Sequence, residues 1–89
     1  MKSVPVIHGD VVSLTHAEIE VARLVAFGKS NKQIANLRNI KVDTVAKHIE
    51  RCFEKLHVLN RVGLAEFMIE FGYVTWEEIH AAYGVRWRI

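Results

Sequence analysis

The sequence predicts an all-α domain: four helices with a helix-turn-helix among them, a short extended N-terminal arm, and an added C-terminal fifth helix. Three observations carry that expectation. Ser/Thr-x-x-Glu/Gln pairs occur at Thr15–Glu18, Ser30–Gln33 and Thr75–Glu78. In this capping-box pattern each side chain satisfies a free backbone N–H at a helix start. Between these pairs the apolar residues recur at helical spacing rather than in alternation. Glycines at 28, 72 and 84 stand where the patterns stop, and glycine takes the left-handed backbone that ends a helix.

Residues 1–13 are short and β-branched, with Val4, Val6, Ile7, Val11 and Val12 around a possible turn at His8-Gly9-Asp10. They read as an extended arm, at most a weak hairpin, packed on the helices. The first helix follows Thr15, with Leu14 stapling its first turn. Ile19, Ala22, Val25 and Ala26 form its buried side, widened by Val21 and Leu24. The second helix is capped by Ser30 and has a small apolar side of Ile34, Ala35 and Leu37. It ends near Leu37 or Arg38, where Arg38-Asn39 breaks the period.

The third helix spans Val42 to His57 and is the most amphipathic. Val45, Ile49, Cys52, Phe53 and Leu56 make one continuous stripe, and Asp43, Lys47, Glu50, Arg51 and Glu54 occupy the opposite side. A fourth helix, capped by Asn60, reaches Phe71 before Gly72. Val62, Leu64, Ala65, Phe67, Met68, Ile69 and Phe71 give it more apolar surface than one core-facing stripe needs. That surplus implies a partner, unless the rest of the chain covers it. A fifth helix runs from the Thr75–Glu78 box to about Tyr83 and should pack against the fourth or first helix, with Trp76, Ile79 and Tyr83 on one face. The closing Val85-Arg86-Trp87-Arg88-Ile89 reads as a docked or frayed tail rather than a DNA contact. The expected division is 1–13 arm, 14–72 helix-turn-helix domain and 73–89 helical extension.

With 89 residues, 51% of them hydrophobic, the chain has room for one small core. No apolar run approaches the ~20 residues of a membrane span, and no secretory signal pattern is present. A single cysteine makes no internal disulfide, which fits a reducing cytoplasm. The net charge of +2 is unevenly distributed. Residues 29–61 hold eight Lys or Arg against three acids, a net +5; the remainder holds four against seven, a net −3. A basic centre between acidic flanks suits one face presented to phosphates.

A short helix, a tight turn and a second helix with a free polar front is the form that enters a DNA major groove. Double-stranded DNA is therefore the expected partner. Lys47 points directly away from the apolar stripe and is the leading base reader, through guanine O6/N7. Ala46 suits a thymine methyl, and Glu50 suits cytosine N4 or the orientation of Lys47 and Arg51. Lys32, Lys41, Arg51 and Lys55 are expected at phosphates, and Val45 lies within the same reading segment. His48 and Cys52 lie one turn apart, but two ligands are too few for a structural zinc site and Cys52 continues the stripe. No metal, no cofactor and no enzymatic activity is expected: nucleophile–base pairs, phosphate loops and paired carboxylates are missing from the pattern.

The same residues resemble the helix-turn-helix of LuxR/GerE-type bacterial transcription regulators. The resemblance is carried by Leu14-Thr15 with Glu18, Leu24-Val25-Ala26 before Gly28, and Ser30-Asn31-Lys32 with Ile34-Ala35. It continues through Ile40, Thr44-Val45, His48, Phe53, Lys55-Leu56, Val58 and Arg61, ungapped from about Leu14 to Gly72. It implies a four-helix fold, a cytoplasmic, nucleoid-associated transcription regulator, Thr44 as a phosphate contact, and a homodimer formed through the fourth helix by Val62, Ala65, Glu66 and Ile69. The arm is too short for a receiver or sensor domain, so the expected form is the free-standing, GerE-like one.

Some positions depart from the family pattern. Lys41 stands where the family has a capping Ser, Ala46 replaces a Lys or Arg, Glu50 is acidic, and Leu37-Arg38 reverses the usual order. Base preference is therefore not carried over. The rival expectation is a protein-interaction module or anti-activator, in which the fourth and fifth helices capture another regulator. RNA polymerase is a further candidate protein partner.

Overall fold

In the computed structural model, which describes residues 6–7, 10–11 and 13–83, all three capping boxes open helices. Thr15 Oγ1 accepts from the Glu18 N–H at 3.1 Å while Glu18 Oε1 accepts from the Thr15 N–H at 2.9 Å. Ser30 and Gln33 repeat the exchange, as do Thr75 and Glu78. The helices are α1 (His16–Ala26), α2 (Asn31–Arg38), α3 (Val42–Leu56), α4 (Arg61–Glu70) and α5 (Trp76–Tyr83). A two-stranded antiparallel pair, β1 (Val6–Ile7) with β2 (Asp10–Val11), precedes them in the register Val6 to Val11 and Ile7 to Asp10. The fold is all-α, with this hairpin as its only sheet among the described residues. How the arm docks, and what residues 84–89 do, lie outside the described residues.

Helix ends follow local chemistry. Gly28 and Gly72 carry positive φ, 82° and 78°, just past α1 and α4. α2 and α3 stop on non-glycine residues in the left-handed region, Asn39 and His57, each at φ 56°. Asparagine tolerates that conformation, and at position 39 it makes the sharp turn between the two helices. Asn60 caps α4 by accepting from the Gly63 N–H at 2.9 Å. The start of α3 is different: Lys41 is its N-cap and supplies no side-chain hydrogen bond.

The core forms where α1 packs against α3 and α4, and α2 packs against α3. Val21, Ala22, Val25 and Ala26 of α1, Ile34 and Ala35 of α2, Val45, Ile49, Cys52 and Leu56 of α3, and Leu64, Phe67 and Met68 of α4 are all buried. Val21 rather than Ile19 is the innermost aliphatic of α1, because Ile19 and Leu24 lie at the margins of its buried side. Phe53 likewise only borders the core.

Glu18 is the charged residue inside this core, with only 1% of its surface exposed. The pattern marked it as a cap alone. Its Oε1 also accepts from Lys55 Nζ at 2.8 Å, and Lys55 donates to the Ser13 carbonyl at 3.1 Å. Burial on its own would raise the Glu18 carboxyl, but Lys55 and the Thr15 hydrogen bonds outweigh it and hold the group below its ordinary value. Nearby, burial together with the Glu18 charge pushes the Cys52 thiol up to about 12. Cys52 is therefore a neutral core residue, with its Sγ donating to the Glu18 carbonyl at 3.6 Å.

α5 is fastened to α1 through Arg23. The guanidinium donates to the Tyr73 carbonyl and to Glu78 Oε2, the latter at 3.1 Å, and lies 5.4 Å from the Phe27 ring centroid. Val74 and Ile79 are buried beneath this fastening. Of the face expected for Trp76, Ile79 and Tyr83, Ile79 is buried but Trp76 is 58% exposed, and the Tyr83 side chain lies outside the described residues. Trp76 occupies the first position of a short helix whose opening turn is held by polar bonds, and it stacks loosely on His80 at 6.2 Å.

Two outcomes follow for stability. Lys55→Met leaves a carboxylate buried without its cation and should cost about 2 kcal/mol at neutral pH. The wild-type pair contributes fully above the ordinary carboxyl value of about 4.3, and its contribution fades as the pH falls through the lower folded value. In the variant only the Thr15 hydrogen bonds still oppose burial, and protonating Glu18 relieves the loss of its cation. The gap in thermal midpoint between the two proteins should therefore narrow from pH 7 to pH 3, and a constant gap would count against the assignment. Lys41→Ser supplies the missing cap and should raise stability by roughly 1 kcal/mol, read as a higher urea midpoint. An unchanged or lower midpoint would mean that the start of α3 needs no such bond.

Candidate nucleic-acid interface

α2, the turn at residues 39–41 and α3 together form a helix-turn-helix whose two helices are fixed at both ends. The backbone N–H of Ile40 donates to the Ala35 carbonyl at 3.0 Å, folding the turn back onto α2. At the other end Arg61, at the start of α4, donates to Asn31 Oδ1 at 2.6 Å and to the Lys29 carbonyl at 2.8 Å. The guanidinium thus ties the start of α4 to the start of α2. The sequence pattern included Arg61 only as part of a family match. Its contact spans thirty residues of chain, and nothing local signals it.

The two sides of α3 differ as the amphipathic pattern requires. Its back is buried along its whole length. Its front is open: Asp43, Lys47, Glu50, Arg51 and Glu54 are exposed, and none of them has a charged partner among the described residues. Lys32 on α2 and Lys41 at the α3 N-cap are exposed as well. Thr44 and Ala46 are half-buried at the edges of the front. Lys32, Lys41, Lys47 and Arg51 are thus all exposed on the helix pair, and no described part of the chain covers them.

Two expected site residues sit elsewhere. Val45 is fully buried, so it offers no surface to a ligand. It lies on the stripe side of the helix, and its position within the reading segment says nothing about the direction of its side chain. Lys55 is committed to Glu18 and the Ser13 carbonyl, so its charge serves the core. With Arg61 also bonded internally, two of the eight cations in residues 29–61 are held within the fold.

On α4, Val62 and Glu66 are exposed, and Ala65 and Ile69 are half-buried, with Ala65 and Ile69 packed against the core edge. Leu59, just before the helix, is 93% exposed and Val62 is 68% exposed. Leu59 lies between helices, where no period marks a face, so the sequence pattern does not single it out. Phe71 packs on Phe67 with ring centroids 4.5 Å apart and is only partly covered. Val42, the first residue of α3, is a second surface residue that the pattern left unassigned. No helix among the described residues is long and apolar enough to cross a membrane.

Comparison with known proteins sets this geometry in a family. The family model GerE, bacterial regulatory proteins of the luxR family, matches residues 12–68. The nitrate/nitrite response regulator protein NarP of Escherichia coli (strain K12) is 47% identical over 50 residues, covering 56% of this chain and 23% of that protein. The transcriptional regulatory protein DesR of Bacillus subtilis (strain 168) is 43% identical over 56 residues, covering 63% of this chain and 28% of its own. The transcriptional regulatory protein LnrK of the same organism is 33% identical over 63 residues, covering 71% of this chain and 29% of its own. The chain therefore spans less than a third of the length of these relatives. Because the matched residues take in α1, α2, α3 and α4 up to Met68, the chain belongs to the luxR family of bacterial regulatory proteins.

Proposed function

We propose that this chain is a sequence-specific DNA-binding transcription regulator that inserts α3 into the major groove. The observation that carries this reading is the open front of α3: a row of charged side chains held outward by a fully buried back, with nothing described in the chain lying over it. Family membership supports the same conclusion. In this reading Lys47 reads guanine, Glu50 accepts from cytosine or orients its neighbours, and Lys32, Lys41, Thr44 and Arg51 hold phosphates. The reading unit spans 14–72, with 1–13 as an arm and 73–89 as an extension.

The regulator acts as a homodimer through Val62, Ala65, Glu66 and Ile69 of α4, a strip that the exposed Leu59 extends. The exposed apolar side chains of Leu59 and Val62 at one end of this strip support the assignment. Two copies would set their α3 helices about 34 Å apart, matching half-sites one DNA turn apart.

A second reading has its own support. Trp76 is exposed on α5, and Glu66, Glu70 and Glu77 expose an acidic surface on α4 and α5. Both suit capture of another regulator rather than DNA. A gel shift with bulk DNA at low salt, beside a pull-down from host lysate, separates the two. Retained protein with no DNA shift would favour capture.

Under the main reading, affinity should fall steeply and log-linearly with salt, as bound counterions are released. Lys47→Ala should leave binding to random duplex nearly unchanged while reducing preference at one guanine roughly ten-fold. Selection from a random DNA library reads both quantities. An unchanged selection profile would remove Lys47 from the base-reading role.

A further inference from the structure

Val42 begins α3 with 45% of its surface open to solvent. It belongs neither to the buried stripe nor to the charged front. At helical spacing it heads a row that continues through half-buried Ala46, one turn later, then buried Ile49 and half-buried Phe53. This row has no charge and runs alongside the front that carries Asp43, Lys47 and Glu50. One exposed valine is ordinary on a protein surface. Val42, however, sits at the N-terminal end of the helix, the end that meets base edges in a helix-turn-helix complex. Its neighbour along the row is an alanine, too short to hold the helix away from a groove floor. Hydrogen-bonding groups populate the front; at its N-terminal end this flank presents the methyl groups of Val42 and Ala46. The major-groove feature that methyl groups recognise is the C5-methyl of thymine.

We propose that Val42 and Ala46 form a methyl-reading flank that selects thymine beside the base read by Lys47. The inference rests on the duplex-binding reading above and adds to it a base preference that the charged front does not supply. Lys47 discriminates by donating to guanine, whereas the flank discriminates by covering a methyl group. The site would therefore favour thymine next to guanine within each half-site.

The test replaces, one at a time, each thymine of a duplex selected by the full chain with deoxyuridine, which removes the methyl group and leaves the pairing intact. At one or two positions the wild-type protein should lose roughly four-fold in affinity, the effect of exposing one methyl-sized group. For Val42→Ala the loss at one of those positions should shrink to less than about two-fold, with the guanine preference retained. Deoxyuridine without effect at every position, or an equal loss in wild type and Val42→Ala, would overturn the inference while leaving duplex binding intact. If no duplex is bound at all, the functional reading fails and the inference fails with it.

Discussion

One constraint governs this molecule: α3 must be gripped along its back and left free along its front. Val45, Ile49, Cys52 and Leu56 supply the apolar part of the grip, closed by α1 and α2. The apolar stripe along one side of the helix sets its rotation about its axis, because turning it would bury the charged front. The Lys55–Glu18 pair agrees with that rotation. Lys55 must reach into the core from the side of α3, and Glu18 is held in place by its own capping box with Thr15. A buried ion pair is a weak source of net stability, but an arrangement that took Lys55 away would strand the Glu18 carboxylate. Arg61 adds the second fixed point by joining the start of α4 to the start of α2. The exposed front is thus the counterpart of the buried stripe, and the polar bonds of Lys55 and Arg61 brace the same arrangement.

Most of the architecture was legible from local chemistry. Capping boxes at Thr15, Ser30 and Thr75, the Asn60 cap and the glycine stops are short-range devices, and each acts within a few residues of where it is written. Periodicity placed the back of α3 correctly for the same reason. The fold was less legible where distant residues meet. Glu18 looked like a cap and is also the buried partner of Lys55. Trp76 shared a period with Ile79, yet only Ile79 found a covering surface. Periodicity identifies which residues lie on one side of a helix, but not how far the neighbouring helices extend over that side.

The candidate interface shows the same division. Lys32, Lys41, Lys47, Glu50 and Arg51 stand in solvent, as the polar side of the helix pair requires. Val45 and Lys55 share the segment with them, although their side chains serve the core. Val42 is the opposite case: an apolar residue that the sequence pattern does not distinguish from core, yet 45% exposed at the start of α3. Charge alone overstated the free positive surface, since Lys55 and Arg61 neutralise or brace groups inside the fold. The relevant quantity for a polyanionic partner is the set of cations left without internal bonds.

The central claim is that the front of α3 meets the DNA duplex. The most direct measurement is amide chemical-shift mapping of the full chain as a selected duplex is added. The account predicts that the largest changes fall on residues 41–51 and around Lys32, with α1 and the core of α4 little affected. Changes confined to α4 and α5, or their absence at duplex concentrations that retard the protein in a gel, would contradict it.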